Sequence, residues 1–483
     1  MTIYKHGVYA EQLPSSILPP RRIGAALPVV VGTAPVHMIQ EGHTGPVNEP
    51  VLAYSYTEAV QAVGWSDDWA AYTLCEAIYS QFVLYGLAPL VLVNVFDPAV
   101  HKSAVTGEEQ TFADGRISLA HAGLVAEPVV KSQDGQNTYV KDTDYTVDLV
   151  AGRITRLDAG GIPAGATVQV DYEYGDPGKV TSADIIGGID VGTGAKRGLE
   201  LVDEVFPRWR MVPGLVLAPG WSHDPLVAAV MSTKAGNINA HFRAMAVVDI
   251  PSQAGGCTKY SDVPAWKAAN NYVDANMICC WPKVRLEGKE FWLSTQAAGL
   301  IGRVDAGNDD VPYESPSNKI LEVNGAMADG QEVWLGPQEA NYLNSQGVVT
   351  ALNFIGGWRL WGNRTACYPA NADVKDAFVP IQRMFNWLGN EFILTFWQMA
   401  DKPLNRRLVE TIVDSYNIRL NGLAARQFIL GGRVEFLRDE NPITDLMDGK
   451  IKFHLFVTPP SPAREITALI EYDPGYISTL FGE

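Results

Sequence analysis

The sequence has little of what staples, anchors or charges a chain for special surroundings. Cysteine occurs five times in 483 residues, at Cys75, Cys257, Cys279, Cys280 and Cys367, with no CxxC. That count and spacing exclude a disulfide framework and a zinc site. No stretch of about 18 apolar residues offers a membrane span, and the opening Met1-Thr2-Ile3-Tyr4-Lys5-His6 lacks the apolar run of a secretory signal. Positive charge is also short: 37 Lys and Arg against 54 Asp and Glu leave a net charge of −17. Such a balance repels phosphate backbones and anionic headgroups, so the expectation is no direct nucleic acid, no membrane insertion, and assembly in a reducing cytoplasm.

What is present is material for large cores. Hydrophobic residues make up 47% of the chain, and its length points to two to four domains. Residues 1–26 carry Pro14, Pro19 and Pro20 and read as an extended arm. Short apolar runs at Leu27–Val31, Pro89–Phe96, Leu215–Ala218, Met245–Ile250 and Met277–Trp281 have the texture of buried parallel strands. Helical stretches at Thr57–Ala62, Trp69–Tyr85 and Asp224–Met231 lie between them, which predicts an α/β domain over 27–98 and 180–370. Residues 99–179 alternate polar and apolar with frequent Gly and Asp turns, predicting an inserted all-β domain. From 371 to 483 an α+β unit is expected. Its helices start near Pro380 and Pro403, the second ends at Gly422, and three β-runs follow at Arg433–Leu437, Lys450–Val457 and Arg464–Tyr472.

Candidate chemistry is thin. Gly220-Trp221-Ser222-His223-Asp224 sets Ser, His and Asp side by side after an apolar strand, yet a nucleophile elbow needs glycine where Asp224 stands. Capping of the next helix by Ser222 or Asp224 is the better account. Gly192–Gly198 matches neither a dinucleotide nor a phosphate-loop pattern and reads as a turn before a helix. Cys279 and Cys280 fit an apolar strand. The histidines, His37, His43, His223 and His241 among them, show no metal-ligand spacing, and Asp309-Asp310 near Asp305 reads as a solvated loop. No catalytic, cofactor or metal residue is assigned.

Several further segments stand out along the chain. They are Gly7-Val8-Tyr9 followed by Val31-Gly32-Thr33-Ala34; Gly302-Arg303-Val304-Asp305; Ser315-Pro316-Ser317-Asn318-Lys319; and Gly357-Trp358-Arg359-Leu360-Trp361-Gly362-Asn363-Arg364-Thr365. Asn441-Pro442 through Asp448-Gly449-Lys450, Phe453-His454-Leu455, Pro459 and Pro462-Ala463-Arg464-Glu465-Ile466 complete the series. In their order and spacing over almost the whole chain these segments resemble the contractile tail sheath family of phages and related injection machines.

The resemblance implies subunits stacked helically as six-fold rings around a tail tube, contracting to drive the tube through the host envelope for genome delivery. The implied partners are other copies, the tube protein, and baseplate and tail terminator proteins, in a virion assembled in the host cytoplasm. It implies intersubunit arms carrying Tyr4, Val8 and Tyr9 at one end and Ile466, Leu469, Ile470, Tyr476 and Ile477 at the other. Lys402, Arg406, Arg407, Arg419 and Arg426 make the second C-terminal helix basic, and Arg406 and Arg407 are the residues expected to face the tube. The competing expectation is a cytoplasmic α/β hydrolase-like enzyme with an inserted β-domain.

Overall fold

A computed structural model describes residues 24–40 and 44–482. Its centre is an eight-stranded sheet of β1 (Pro28–Gly32), β2 (Pro50–Ala53), β3 (Leu90–Asn94), β4 (Leu215–Leu217), β5 (Met245–Asp249), β6 (Met277–Cys280), β7 (Val348–Asn353) and β8 (Trp358–Trp361). The spatial order is β2-β3-β1-β4-β5-β6-β7-β8. The six inner strands are parallel, whereas β2 and β8 run antiparallel at the two edges. The five expected apolar runs are β1, β3, β4, β5 and β6, each buried along its length. Strands covered on both faces need no alternation, which is why continuous apolar runs identified them.

Five helices matter for the surfaces described below. They are α1 (Thr73–Ile78), α2 (Pro225–Gly236), α3 (Leu293–Ala306), α4 (Val379–Phe396) and α5 (Arg406–Ala425). The expected single helix over Trp69–Tyr85 is instead α1 followed by a π-helical turn at Tyr79–Leu84. Beyond that turn the Tyr85 ring lies so close to α3 that a Cβ on Gly299 would come within 2.3 Å of it, so this helix-to-helix approach depends on glycine. Pro380 occupies the first turn of α4 as expected. Helix α5 begins later than Pro403, because the Asn405 side chain accepts from the Leu408 amide at 2.9 Å and fixes the start there. It also runs through Gly422, which is exposed and adopts no left-handed conformation that would stop it.

The C-terminal helices are not a separate core. Tyr416, Leu420 and Leu423 belong to the same contiguous apolar cluster as the main sheet. Asp309 and Asp310 lie exposed in a turn, as expected, whereas Asp305 just before them is buried at the end of α3 and receives Arg383 of α4 at 3.0 Å. Asp309 pairs with Arg426. After α5 comes a hairpin of β9 (Gly431–Glu435) and β10 (His454–Thr458). The turn joining them is held by Asn441, whose amide donates to the Leu437 and Lys452 carbonyls at 2.8 and 3.0 Å.

Between β3 and β4 the chain makes two three-stranded antiparallel sheets, one of Lys102–Thr111, Thr167–Gly175 and Val129–Ser132, the other of Arg116–Ser118, Arg153–Arg156 and Tyr145–Asp148. Their inward residues, including Ile117, Val130, Ile154 and Val170, form a second apolar cluster. Gly192–Gly198 is not a turn before a helix alone; it closes a short hairpin between Gly188–Ile189 and Lys196–Arg197. The whole is a mixed α/β protein with several sheets.

Candidate assembly surfaces

The place where α/β enzymes hold ligands, the carboxyl ends of the parallel strands, is here closed by helix caps. Asp249 at the end of β5 accepts from the Ser294 amide at 3.0 Å and from the Ser294 hydroxyl, and its own amide donates to Ser222 Oγ at 3.0 Å. Glu76 of α1 reaches the same end of α3, accepting from the Trp292 amide at 2.7 Å and from Thr295 Oγ1. Burial pushes both carboxyls up, Glu76 to about 8 and Asp249 to about 6, against the pull of those donors.

Ser222, His223 and Asp224 part company. Ser222 is bound to Asp249, His223 stacks on the Trp292 ring at 5.3 Å between centroids, and Asp224 caps α2 through the Leu226 amide at 2.9 Å. No triad forms, since a base must reach the nucleophile and an orienting group must reach the base. Cys279 and Cys280 are buried strand thiols. Among the described residues no group of three or more His, Cys, Asp or Glu is arranged to hold a metal ion, and no helix is long and apolar enough to cross a membrane.

The Trp-Gly-x-Arg-Thr segment has a structural logic that its spacing alone did not reveal. Gly362 sits at φ +138°, its amide donates to Ser317 Oγ at 3.0 Å, and a Cβ there would meet the Val349 backbone at 3.0 Å. The Ser315–Lys319 turn thus covers the outer edge of β8, with the Leu321 amide donating to the Trp358 carbonyl and the Leu360 amide to that of Lys319, each at 3.0 Å. Buried Thr365 donates to the Asp376 carbonyl at 2.6 Å and so ties this segment to the start of the C-terminal region.

The terminal hairpin has one guarded and one open edge. Asn417 of α5 clips the outer side of β9: its side-chain oxygen accepts from the Val434 amide at 2.8 Å and its amide donates to the Val434 carbonyl at 3.1 Å. Val434 lies opposite Leu455, so in an antiparallel ladder Leu455 turns its own amide and carbonyl to the far side of β10. Among the described residues nothing meets them. This clip was not foreseen from sequence, because an asparagine within a helix carries no signal of a strand beside it.

Past Pro460 the chain leaves the body. Arg464–Tyr472, expected as a strand, joins no ladder among the described residues: Ile466, Leu469 and Ile470 are 88%, 94% and 95% exposed. Ile466, Ala468, Ile470 and Tyr472 alternate with Glu465, Thr467 and Glu471, interrupted only by Leu469 on the polar face, which is a strand pattern without a sheet. Tyr476 and Ile477 lie in a 3-10 helix over Pro474–Phe481, started by Asp473, whose carboxylate accepts from the Gly475 amide at 2.8 Å. A backbone without a ladder partner satisfies its groups locally. Tyr4, Val8 and Tyr9 lie outside the described residues.

The expected basic helix is only partly basic at its surface. Arg419 turns inward to buried Glu391 at 2.8 Å, and Arg426 goes to Asp309. Arg406 is 91% exposed and paired along the helix with Glu410 at 2.6 Å; Arg407 and Lys402 are exposed as well. Thus Lys402, Arg406 and Arg407 gather in solvent at the start of α5, while Arg426 stands exposed at its end.

Comparison with known proteins places this architecture. A family model described as "Protein of unknown function UCP028589" matches residues 94–183. The tail sheath protein of Burkholderia phage BcepMu is 31% identical over 498 residues, covering 99% of each chain. The major tail sheath protein of Serratia phage KSP20 is 24% identical over 242 residues, 48% of this chain and 58% of that one. Among solved structures, the PVC sheath complex of an extracellular contractile injection system in the contracted state superposes with a TM-score of 0.60 at 14% identity, covering 98% of this chain and 99% of that chain. Likeness to a tail sheath protein along the whole chain defines a structural subunit of a contractile tail, not an enzyme. The chain belongs to the tail sheath protein family.

Proposed function

We propose that this chain polymerises as six-fold rings stacked helically around a tail tube, and that contraction of the polymer drives the tube through the host envelope for genome delivery. Copies are joined by arm exchange. On this reading the exposed, alternating Ile466–Tyr472 segment adds as a strand to the open edge of another copy's β10, and Tyr476, Ile477 and the N-terminal Tyr4, Val8 and Tyr9 make similar contacts. The single observation that carries the proposal is this pairing of a strand-like segment without a sheet and a sheet edge without a strand. A two-stranded sheet is marginal by itself, and main-chain hydrogen bonds to an added strand supply affinity without demanding side-chain specificity.

The layout proposed with it is an N-terminal arm over 1–26, an α/β domain over 27–98 and 180–370, a β-insertion over 99–179, and a C-terminal α+β unit over 371–483. Arg406 and Arg407 face the tube, and the tube, baseplate and tail terminator proteins are the further partners. Assembly takes place in the host cytoplasm. Contraction replaces one packing of the subunits by another that buries more surface, with small gains summed along the polymer, so no nucleotide is required. Negative-stain microscopy of the purified chain tests the reading. Hollow cylinders or rings are the expected result, and small discrete oligomers with a hydrolase turnover lost in Ser222→Ala would contradict it.

A further inference from the structure

A cleft of about 600 Å³ separates the body from the base of the C-terminal arm. One wall carries Ser317, Asn344, Trp361 and Arg364, and the other is the arm itself from Pro460 to Glu465. Arg364 is held between two rings, its guanidinium carbon 3.7 Å from the Phe378 centroid and 4.3 Å from that of Tyr368. Aromatic faces orient a guanidinium without neutralising it. Among the described residues Arg364 has no carboxylate partner. The two carboxylates lining the cleft are engaged elsewhere: Glu314 with Lys319, and Glu465 with Arg464 at 3.3 Å. Burial, with the Arg464 guanidinium across the cleft, holds the Arg364 pKa below its ordinary value, which leaves it a cation at neutral pH all the same.

A half-buried cation with a fixed orientation, a fork of donors and no counter-charge is an unfilled receptor. We infer that Arg364 receives an aspartate or glutamate side chain from a second copy of this chain, and that this contact fixes the direction in which the arm leaves the body. The guanidinium fork matches a carboxylate in two parallel hydrogen bonds, whereas a lysine there would act as a point charge. The chain's own surplus of acids, 54 against 37 bases, makes another copy the abundant source of that group. A contact at the root of the arm also sits where copies must meet if arms are exchanged. The inference rests on the proposed polymerisation.

The test is zero-length carbodiimide coupling of an assembled R364K sheath, prepared from a mixture of isotopically heavy and light copies and read by mass spectrometry. The expected product is a heavy-to-light isopeptide between position 364 and an Asp or Glu. Links from position 364 only to Glu314 or Glu465 of the same copy, or none while other heavy-to-light links form in the sample, would overturn the inference and leave polymerisation standing. A second arm uses R364Q, with circular dichroism to verify the folded monomer. The salt concentration at which its polymer dissociates should fall, for a loss of up to roughly fivefold per contact, the range of a part-exposed ion pair. An unchanged midpoint would also overturn it. Absence of any polymer from wild-type protein would instead sink the reading on which it rests.

Discussion

Arg383 of α4 and Asp305 of α3 form a buried ion pair, with side chains 3% and 1% exposed, that joins the C-terminal helices to the main sheet. Arg383 Nη1 donates to Asp305 Oδ1 at 3.0 Å, and its other terminal nitrogen reaches Oδ2 and the Ala25 carbonyl. Burial raises the Asp305 carboxyl and Arg383 draws it back down. Removing one partner strands the other charge away from water. Arg383→Met should therefore cost about 3–5 kcal/mol, and Arg383→Met with Asp305→Leu should recover most of it. Urea midpoints of the monomer measure both.

The two ends of α5 should respond oppositely to charge reversal. Arg419→Glu places a second carboxylate against Glu391, which is wholly buried, and should destabilise the monomer by on the order of 3 kcal/mol. Arg406→Glu with Arg407→Glu touches only exposed groups, so the thermal midpoint of the monomer should not move. Loss of sheath assembly around tubes by the second variant, with a normal monomer, is the expected outcome; unimpaired assembly would remove the tube-facing assignment.

Stability should fall as pH rises between 6.5 and 8. Glu76 has its folded pKa raised to about 8, so the folded chain keeps a proton that the unfolded chain has already released. Its contribution is full below the ordinary carboxylate range and is lost as pH rises towards 8. Asp249, raised to about 6, acts in the same direction but at lower pH. His37, which burial lowers to about 4, and His223, which burial also lowers, act oppositely; their unfolded imidazoles titrate about the ordinary 6.5, so this gain is complete only about a unit above it. Glu76's share of the fall is at most about 1.4 kcal/mol per pH unit, roughly 2 kcal/mol across the window, and the histidines offset a part of it below about pH 7.5. Thermal midpoints across that window should decline for wild type but not for Glu76→Gln.

How legible these features were depended on what each residue had to satisfy. Val29, Leu92, Val216, Val247 and Ile278 announced their strands because a doubly covered strand admits little but apolar residues. Pro50–Ala53 and Trp358–Trp361 are edge strands, each with one partner in the main sheet, and gave no such run. The burial of Asp305 was not legible, because its partner Arg383 lies 78 residues further on, a pairing no local pattern displays. Arg419 looked like a surface cation for the same reason, its partner being the distant and buried Glu391. Arg464–Tyr472 read as a strand from its residue pattern, yet it forms none among the described residues, because a local pattern does not show whether a ladder partner is present.

On the arm, the lever is charge on an apolar face. Ile466→Asp with Ile470→Asp alters side chains that the monomer barely touches, so the monomer's thermal midpoint should remain within about 0.5 kcal/mol equivalent of wild type. Sedimentation should then show the loss of large assemblies. Retention of them would mean that this face of the arm is not the one that docks.

Deleting residues 464–483 and imaging the product by negative stain tests arm exchange most directly. The described body, including both strands of the terminal hairpin, ends before that point. The account predicts a folded monomer with unchanged circular dichroism and no cylinders. Cylinders as long and as frequent as those of the full chain would contradict it.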